Sequence, residues 1–295
     1  MKSTKQVHVH IALFFMMMVW GVNLSAVKAL TNHLDILWVS SVRMIIATCI
    51  IFIICLRSKS MFFRWKFNEW KLIFFAALLM VYAQQIAFAG GLSKTSATNA
   101  ALVMTLGPAL SLILERVTFG RVISLKQISG MILSLIGVVA VVLHRPSAEI
   151  TATAIGDFWI LCSVGTFAIG GLCVQKLTQK SSPLPVSLIV HLIGSLLLIL
   201  HFEAMPGSSV AAISSMSGLD WSLVLFSAVF ATGIGALVWS RGIATIGVGR
   251  TASYIAWVPI FGVSFAALFF AEPISMWHFI GVLGVIVGTL LVVKR

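Results

Sequence analysis

Ten apolar runs of about 20 residues each constrain this chain more than any other feature of its sequence. At the helical rise of about 1.5 Å per residue, 20 residues cross the roughly 30 Å of hydrocarbon in a bilayer. Only 9% of the 295 residues are charged, whereas a soluble domain carries about 25%. The sequence therefore predicts an all-α integral membrane protein with ten transmembrane helices. These lie at 11–30, 36–56, 71–91, 96–115, 125–143, 156–176, 184–203, 221–241, 251–271 and 276–293.

The basic residues predict how the chain is oriented. Sixteen of the 20 lysines and arginines share a side with the N-terminus, three fall on the other side, and Arg43 lies within a span. Because cytoplasmic loops are enriched in Lys and Arg, both termini are predicted to be cytoplasmic in a multi-pass protein of the bacterial inner (plasma) membrane. The basic residues occupy short gaps and form no patch, which argues against nucleic acid as a partner.

The sequence also repeats itself at a nearly constant offset. Lys28 and Arg43 pair with Lys176 and His191 at an offset of 148. Each copy contains five spans, an odd number, so the second copy enters the membrane from the opposite side. The sequence predicts two inverted-topology five-helix repeats, 1–145 and 146–295, around a central cavity, as in alternating-access carriers. The pairs at an offset of 151 are Gly91/Gly242, Pro108/Pro259, Ser124/Ser275, Gly130/Gly281 and Gly137/Gly288.

Short motifs add a family resemblance. They comprise Trp20, Gly21, Asn23, Lys28, Arg43 in SVRMIIA, Pro108, Pro259, Glu272 in FFAEPIS, and the G-x6-G pattern of spans five and ten. Over nearly the whole chain they resemble the EamA-type carriers of the drug/metabolite transporter superfamily, although Arg121 replaces that family's usual glutamate after span four. The resemblance implies secondary transport without nucleotide hydrolysis, often with protons as the coupling ion, and mostly export of small metabolites.

Arg43 and His191 are ionisable side chains that lie well inside predicted spans. Arg43 lies about eight residues into span two, where a charge costs about 2.5–3.5 kcal/mol. It therefore faces either a cavity or a structural partner. His191 lies equally far into span seven but from the opposite side, so the two residues are expected toward opposite mouths of the pathway. Because histidine titrates near neutral pH, His191 is either a proton site or a hydrogen-bonded structural residue.

Polar and aromatic side chains supply the other cavity candidates. In span three, Tyr82, Gln85 and Phe88 follow one another at intervals of three residues and predict one stripe, which either lines the cavity or bonds a neighbouring helix. Deep tryptophans predict an aromatic pocket or simple packing. The cavity candidates are Trp20, Asn23, Arg43, Tyr82, Gln85, Phe88, Asn99, Thr105, Thr166, Phe167, His191, Trp239, Tyr254 and Trp257.

Prolines and glycines indicate where helices bend and touch. Pro108 and Pro259 are predicted to interrupt helical hydrogen bonding at equivalent mid-helix positions, as hinges or as static bends. Small-residue faces in spans five and ten predict close helix contact, either within the chain or at a dimer seam. The protein is accordingly a monomer or a homodimer. These faces carry Gly130 and Gly137 in span five and Gly281, Gly284 and Gly288 in span ten.

The favoured function is secondary active or facilitative export of a small metabolite (an amino acid, a derivative or a toxic organic compound) by alternating access. An importer or exchanger of phosphorylated or other small solutes is the alternative, although polyanions call for more basic residues than Arg43. A membrane-embedded enzyme is disfavoured because the chain has no HExxH, GxSxG or P-loop motif. The four cysteines form no CxxC pair, so neither a metal nor a cofactor is predicted.

Overall fold

Helices make up the protein. The computed structural model describes residues 2–58, 65–95, 100, 103–144, 154–205, 216–270 and 276–293, and no strand occurs among them. The α-helices are α1 (Lys2–Thr31), α2 (Ile36–Arg57), α3 (Phe67–Ala76), α4 (Gln84–Lys94), α5 (Gly107–Phe119), α6 (Leu125–Leu143), α7 (Ala154–Thr178), α8 (Pro183–Ala204), α9 (Gly218–Phe226), α10 (Gly235–Ile246), α11 (Val248–Ala252), α12 (Trp257–Phe270) and α13 (Met276–Val293).

Six helical rods within the described residues are long and apolar enough to cross a membrane. Two shorter apolar helices, at Leu125–Ala140 and Phe279–Val293, accompany them. The structure therefore confirms an all-α membrane protein. The predicted spans at 96–115 and 251–271 are both interrupted: α5 begins only at Gly107, and a 3-10 turn separates α11 from α12.

Pro108 and Pro259 stand at these two interruptions. Pro108 lies in the first turn of α5, and Pro259 is the third residue of α12. A proline in a first turn removes no intrahelical hydrogen bond, because the N–H groups there have no partner within the helix. Both prolines therefore lie in the first turn of a helix, beside an interruption of the predicted span, and their role as hinges or static bends stays a prediction.

Two rods contain a segment of π-helix. The segment Ala77–Ala83 joins α3 to α4, and the segment Ser227–Ile234 joins α9 to α10. The two segments coincide at the offset of 151 that the sequence repeat shows. A π-helical turn is wider than an α-helical one and needs room beside it. Glycine provides that room: a Cβ added at Gly170 of α7 would lie 2.5 Å from the Cβ of Met80.

The glycine faces of α6 and α13 pack on each other. A Cβ added at Gly137 would lie 2.7 Å from the carbonyl oxygen of Gly281, and one at Gly130 would lie 2.6 Å from that of Gly288. Backbones this close leave no room for side chains, which is how small residues hold helices together in lipid. Of the two alternatives left by the sequence, the contact within the chain is the one that the structure contains.

This contact predicts a stability effect that a single methyl group reveals. We expect Gly288→Ala to destabilise the protein by about 1–3 kcal/mol, because the new Cβ would meet the Gly130 carbonyl oxygen at 2.5 Å. Gly165→Ala in α7 is the matched control, since its Cβ would meet nothing within 4 Å. The measurement is the midpoint of thermal unfolding of each purified variant in detergent. Equal midpoints for the two variants would contradict the close packing of α6 on α13.

Candidate functional site

A central cavity lies where α1, α2, α5, α7 and α8 meet the two helices that contain π-helical segments and the start of α12. The cavity has a volume of about 150 Å³. The sequence predicted many of the side chains that line it. The predicted candidates at the cavity wall are Trp20, Asn23, Arg43, Gln85, Phe88, Phe167, His191 and Trp239.

The cavity wall follows the sequence repeat. Sixteen of its 24 residues form eight pairs at the offsets of 148 and 151, so each half of the chain supplies the same positions to the wall. The chemistry of the paired residues differs, as in Gln85 and Ala236, so the two halves supply unlike side chains at the same positions. The pairs are Trp20/Ala168, Arg43/His191, Met80/Ala231, Val81/Thr232, Gln85/Ala236, Phe88/Trp239, Met104/Ile255 and Gly107/Val258.

Three aromatic rings form one wall of the cavity. The ring centroids of Trp20 and Trp239 lie 5.2 Å apart, and those of Phe167 and Trp239 lie 5.1 Å apart. The Trp20 indole also donates a hydrogen bond to the Ala231 carbonyl oxygen at 2.8 Å, inside the second π-helical segment. Gly235 makes this approach possible, because a Cβ there would lie 3.0 Å from the Trp20 Nε1. The aromatic wall is thus tied to the irregular part of its neighbouring rod.

Arg43 is buried at the cavity and has few hydrogen-bond partners. Its side chain is only 2% exposed. Its Nη1 lies 3.5 Å from the Gln85 Oε1, its Nη2 lies 3.4 Å from the Thr232 Oγ1, and its Nε has no partner. Both distances exceed the usual 2.7–3.2 Å of an N–H···O bond. Among the described residues no carboxylate lies within 4.0 Å of the guanidinium.

His191 lines the same cavity from α8, so the two residues expected toward opposite mouths contribute to one chamber. Its Nδ1 faces the Ser187 carbonyl oxygen at 2.8 Å. A carbonyl oxygen only accepts, so this nitrogen carries the hydrogen and Nε2 is left as the other polar atom of the ring. Nearby, the Gln85 side-chain amide donates to the Gln84 Oε1 at 2.8 Å, so the adjacent amides pair with each other.

Tyr82 lies outside the cavity wall. Its hydroxyl is hydrogen-bonded to the His201 Nδ1 at 3.0 Å, while Gln85 and Phe88 do line the cavity. The predicted stripe assumed an α-helical turn, but Tyr82 belongs to the π-helical segment Ala77–Ala83. The wider turn changes the direction of every side chain relative to those after it. Of the two alternatives for the stripe, Tyr82 bonds a neighbouring helix, whereas Gln85 and Phe88 line the cavity.

Other predicted candidates also find partners away from the cavity. The Trp257 indole donates to the Thr289 Oγ1 at 3.1 Å, and the Tyr254 hydroxyl is bonded to the His10 Nδ1 at 2.7 Å. Thr166 donates to carbonyl oxygens of its own helix, and Thr105 is buried beside the turn before α5. The aromatic pocket predicted from the sequence is thus smaller than expected. Asn99 lies outside the described residues.

A buried carboxylate that the sequence did not single out organises one end of the bundle. Glu115, at the last turns of α5, accepts hydrogen bonds from Arg121 at 2.5 Å, from the Gln175 side chain at 2.8 Å and from the Gly249 N–H at 3.1 Å. Gln175 in turn accepts from the Val248 N–H at 2.6 Å. We call these five residues the Glu115 cluster. It joins α5, α7 and the start of α11.

One glycine is essential to the Glu115 cluster. Gly247, between α10 and α11, has a φ of 90°, a value that residues with a side chain rarely adopt. A Cβ at this position would also lie 2.6 Å from both the Glu115 Oε1 and the Arg121 Nη1. The signal that could have found the cluster is an acid at the end of predicted span four, six residues before Arg121.

A second polar cluster lies at the opposite end of the bundle. Lys28 donates to the carbonyl oxygens of Leu92 at 2.6 Å and Thr95 at 3.2 Å, and the Thr95 hydroxyl donates to Asp157 at 2.5 Å. We call these four residues the Lys28 cluster. Asp157 and Gln175 lie near opposite ends of α7, about 27 Å apart at the helical rise. The cavity residues of α7 lie between them, so the cavity lies between the Glu115 cluster and the Lys28 cluster.

Comparison with known proteins agrees with this geometry. The chain is 29% identical over 219 residues to the uncharacterized transporter YyaM of Bacillus subtilis (strain 168), over 72% of this chain and 70% of that protein. It is 25% identical over 285 residues to the probable amino-acid metabolite efflux pump of Escherichia coli (strain K12), over 92% of this chain and 89% of that protein. A protein of known crystal structure shares the fold, with a TM-score of 0.79 over 97% of this chain and 96% of that one, at 13% identity.

A helical membrane bundle around a polar and aromatic cavity, with transporters as its relatives, defines a membrane transporter. The model of the EamA-like transporter family matches the chain twice, at residues 9–143 and 154–294. The chain belongs to the EamA-like transporter family. The resemblance found in the sequence is thereby confirmed.

The Glu115 cluster predicts a second stability effect. We expect Glu115→Ala to destabilise the protein by at least about 2 kcal/mol, because it removes the acceptor of the buried Gln175 and Gly249 donors. Each buried donor costs about 1–3 kcal/mol when it has no acceptor. Glu203→Ala is the matched control, since this glutamate is exposed on α8. The measurement is again the thermal unfolding midpoint in detergent. A Glu115→Ala midpoint equal to that of the control would show that the cluster does not stabilise this conformation.

Proposed function

We propose that the chain is a secondary carrier that exports a small metabolite by alternating access. The observation that carries this proposal is the cavity wall built from eight pairs of repeat-related residues. In a carrier made of two inverted halves, exchanging the conformations of the halves turns an outward-open pathway into an inward-open one around a fixed site. A site lined by the same positions of both halves stays in place during that exchange.

The architecture behind this mechanism is ten transmembrane helices in two inverted five-helix repeats, 1–145 and 146–295. Two observations support it. The family model matches each half separately, and the π-helical segments Ala77–Ala83 and Ser227–Ile234 occupy equivalent positions. The interruptions before Pro108 and Pro259 are likewise equivalent, and they are the hinges at which each half bends.

The protein lies in the bacterial inner membrane with both termini in the cytoplasm. The support is the distribution of basic residues, 16 of 20 of which share the side of the N-terminus. In this orientation the Glu115 cluster faces the cytoplasm and the Lys28 cluster faces outward. The two clusters act as gates: opening the cavity to one side requires that the polar ties on that side separate.

The cavity also supports the choice of solute over the alternatives. Its wall contains one arginine and one histidine among the described residues, whereas phosphorylated solutes call for several basic groups. The carrier therefore takes a small metabolite in preference to a sugar phosphate or nucleotide sugar. One relative is named as a probable amino-acid metabolite efflux pump, which supports export as the direction. Proton coupling, with His191 as the proton site, stays a prediction.

Export predicts a difference between culture media. Cells that overproduce the intact protein are expected to accumulate one or a few small metabolites outside, as measured by untargeted mass spectrometry. Gln85→Ala removes an amide from the cavity wall and is expected to abolish most of that accumulation. Gln179→Ala, which alters an exposed amide at the end of α7, serves as the matched control. If the same metabolites accumulate to the same amounts with the intact protein and with Gln85→Ala, at equal amounts of protein in the membrane, the proposed export through this cavity is contradicted.

Gating predicts a change in accessibility. In a variant whose four cysteines are replaced by alanine, a reporter cysteine at Ser111 lies on the cavity wall one turn from Glu115. Adding Glu115→Gln places an amide N–H among three donors, so the cytoplasmic tie weakens. A membrane-impermeant thiol reagent applied to inside-out vesicles is then expected to label the reporter severalfold faster. Glu203→Gln is the control, and unchanged labelling with Glu115→Gln would refute the gate.

A further inference from the structure

Two buried nitrogen donors at the cavity have no partner among the protein atoms described. They are the Nε of Arg43 and the Nε1 of Trp239, and both side chains line the cavity. A guanidinium and an indole donate hydrogen bonds and accept none. Leaving such donors unpaired in a buried site is destabilising. The cavity therefore has the polarity that suits a ligand rich in acceptors.

The charge of the cavity wall also favours a ligand rich in hydrogen-bond acceptors. Arg43 is the one permanently charged side chain among the described wall residues, and no aspartate or glutamate lies beside it on that wall. Its nearest polar neighbours, Gln85 and Thr232, are neutral and stand at 3.5 Å and 3.4 Å. A buried cation without a counter-ion favours an anion from outside the protein. A planar guanidinium matches a carboxylate with two parallel hydrogen bonds.

The apolar part of the cavity has a shape of its own. Trp20, Phe167 and Trp239 form a cluster with ring centroids between 5.1 Å and 6.3 Å apart. Phe88 adds a fourth ring to the wall. Aromatic walls pack well against flat or apolar bodies. Arg43 and the ring cluster meet at the same chamber, so one small solute can reach both.

We propose that the solutes carried are monoanionic carboxylates with an aromatic or apolar body. The carboxylate binds the guanidinium of Arg43, and the body packs among Trp20, Phe167 and Trp239. This inference rests on the proposed function, because it names the substrate class of the same cavity. It sets such acids apart from zwitterionic amino acids, whose ammonium group would find no carboxylate on the described wall. A polyanion would exceed the charge of the single arginine.

Four probes of equal ring and different charge test the inference with the purified protein. These are phenylacetate, the neutral phenylacetamide and the cationic 2-phenylethylammonium, with phenylalanine as a zwitterion. Binding is measured by quenching of tryptophan fluorescence. Phenylacetate is expected to bind about ten- to one-hundredfold more tightly than phenylacetamide, since a carboxylate forms a bidentate ion pair with a guanidinium whereas a neutral amide offers it one acceptor oxygen. The cation and the zwitterion are expected to bind more weakly than phenylacetate.

Arg43→Gln is expected to remove the preference for phenylacetate over phenylacetamide. Arg57→Gln, which changes the exposed arginine at the end of the same helix, is the matched control and keeps it. Without ligand, Arg43→Gln is expected to unfold at an equal or higher temperature than the intact protein, because it loses an unpaired buried charge. A purely structural arginine would give the opposite shift. Arg43→Lys keeps the charge but lacks the planar guanidinium, and it is expected to retain part of the preference for phenylacetate. This variant provides the test if Arg43→Gln does not fold.

Several results would overturn the inference: equal binding of acid and amide, tighter binding of the cation, no binding of any probe, or an unchanged preference in Arg43→Gln. These results are separable from failure of the export proposal. Accumulation of an exported metabolite that has no carboxylate, lost in Gln85→Ala, would refute the substrate class and leave export standing. Binding of phenylacetate through Arg43 with no metabolite exported would refute export and leave the ligand class standing.

Discussion

Hydrocarbon provides no hydrogen bonds, and this constraint governs the whole structure. Every polar atom within the bilayer must find its partner inside the protein or lose free energy. Most polar side chains along these helices do so. Thr48 pairs with Ser195, and Ser187 pairs with Ser240, each between two helices. Against this background the few donors that remain unpaired are informative, because two of them, on Arg43 and Trp239, lie at the cavity.

The same constraint explains why the irregular backbone lies where it does. π-Helical turns and 3-10 turns expose or redirect backbone groups, so lipid-facing positions disfavour them. Here they occur beside the cavity and against glycines such as Gly170, or against a side-chain donor such as the Trp20 indole. Their recurrence at equivalent positions of both halves fits a mechanism in which the two halves exchange conformations.

The Glu115 cluster and the Lys28 cluster hold the two ends of the bundle together through hydrogen bonds. Glu115 and Lys28 are each held by groups from other helices, and the wall of the cavity lies between them along α7. Backbone groups contribute to both ties, through the Gly249 N–H at one end and the Leu92 carbonyl oxygen at the other. Ties of this kind can be remade after they separate, because water solvates the same groups at the membrane surface. That property suits gates better than apolar packing would.

The sequence by itself determined the membrane class, the family and several residues of the cavity wall. Apolar runs of bilayer length permit only helices in lipid, and the repeat identified the positions that both halves share. It did not determine that Tyr82 points away from Gln85, because a change of helical turn leaves no trace in an apolar run. It also did not reveal the partners of Glu115, which come from α7, from α11 and from the loop after α5. Only the tertiary structure decided these features, because they depend on distances between segments far apart in the chain. The pairing of the α6 and α13 glycine faces was decided in the same way, since the faces are written in the sequence but their partner is not.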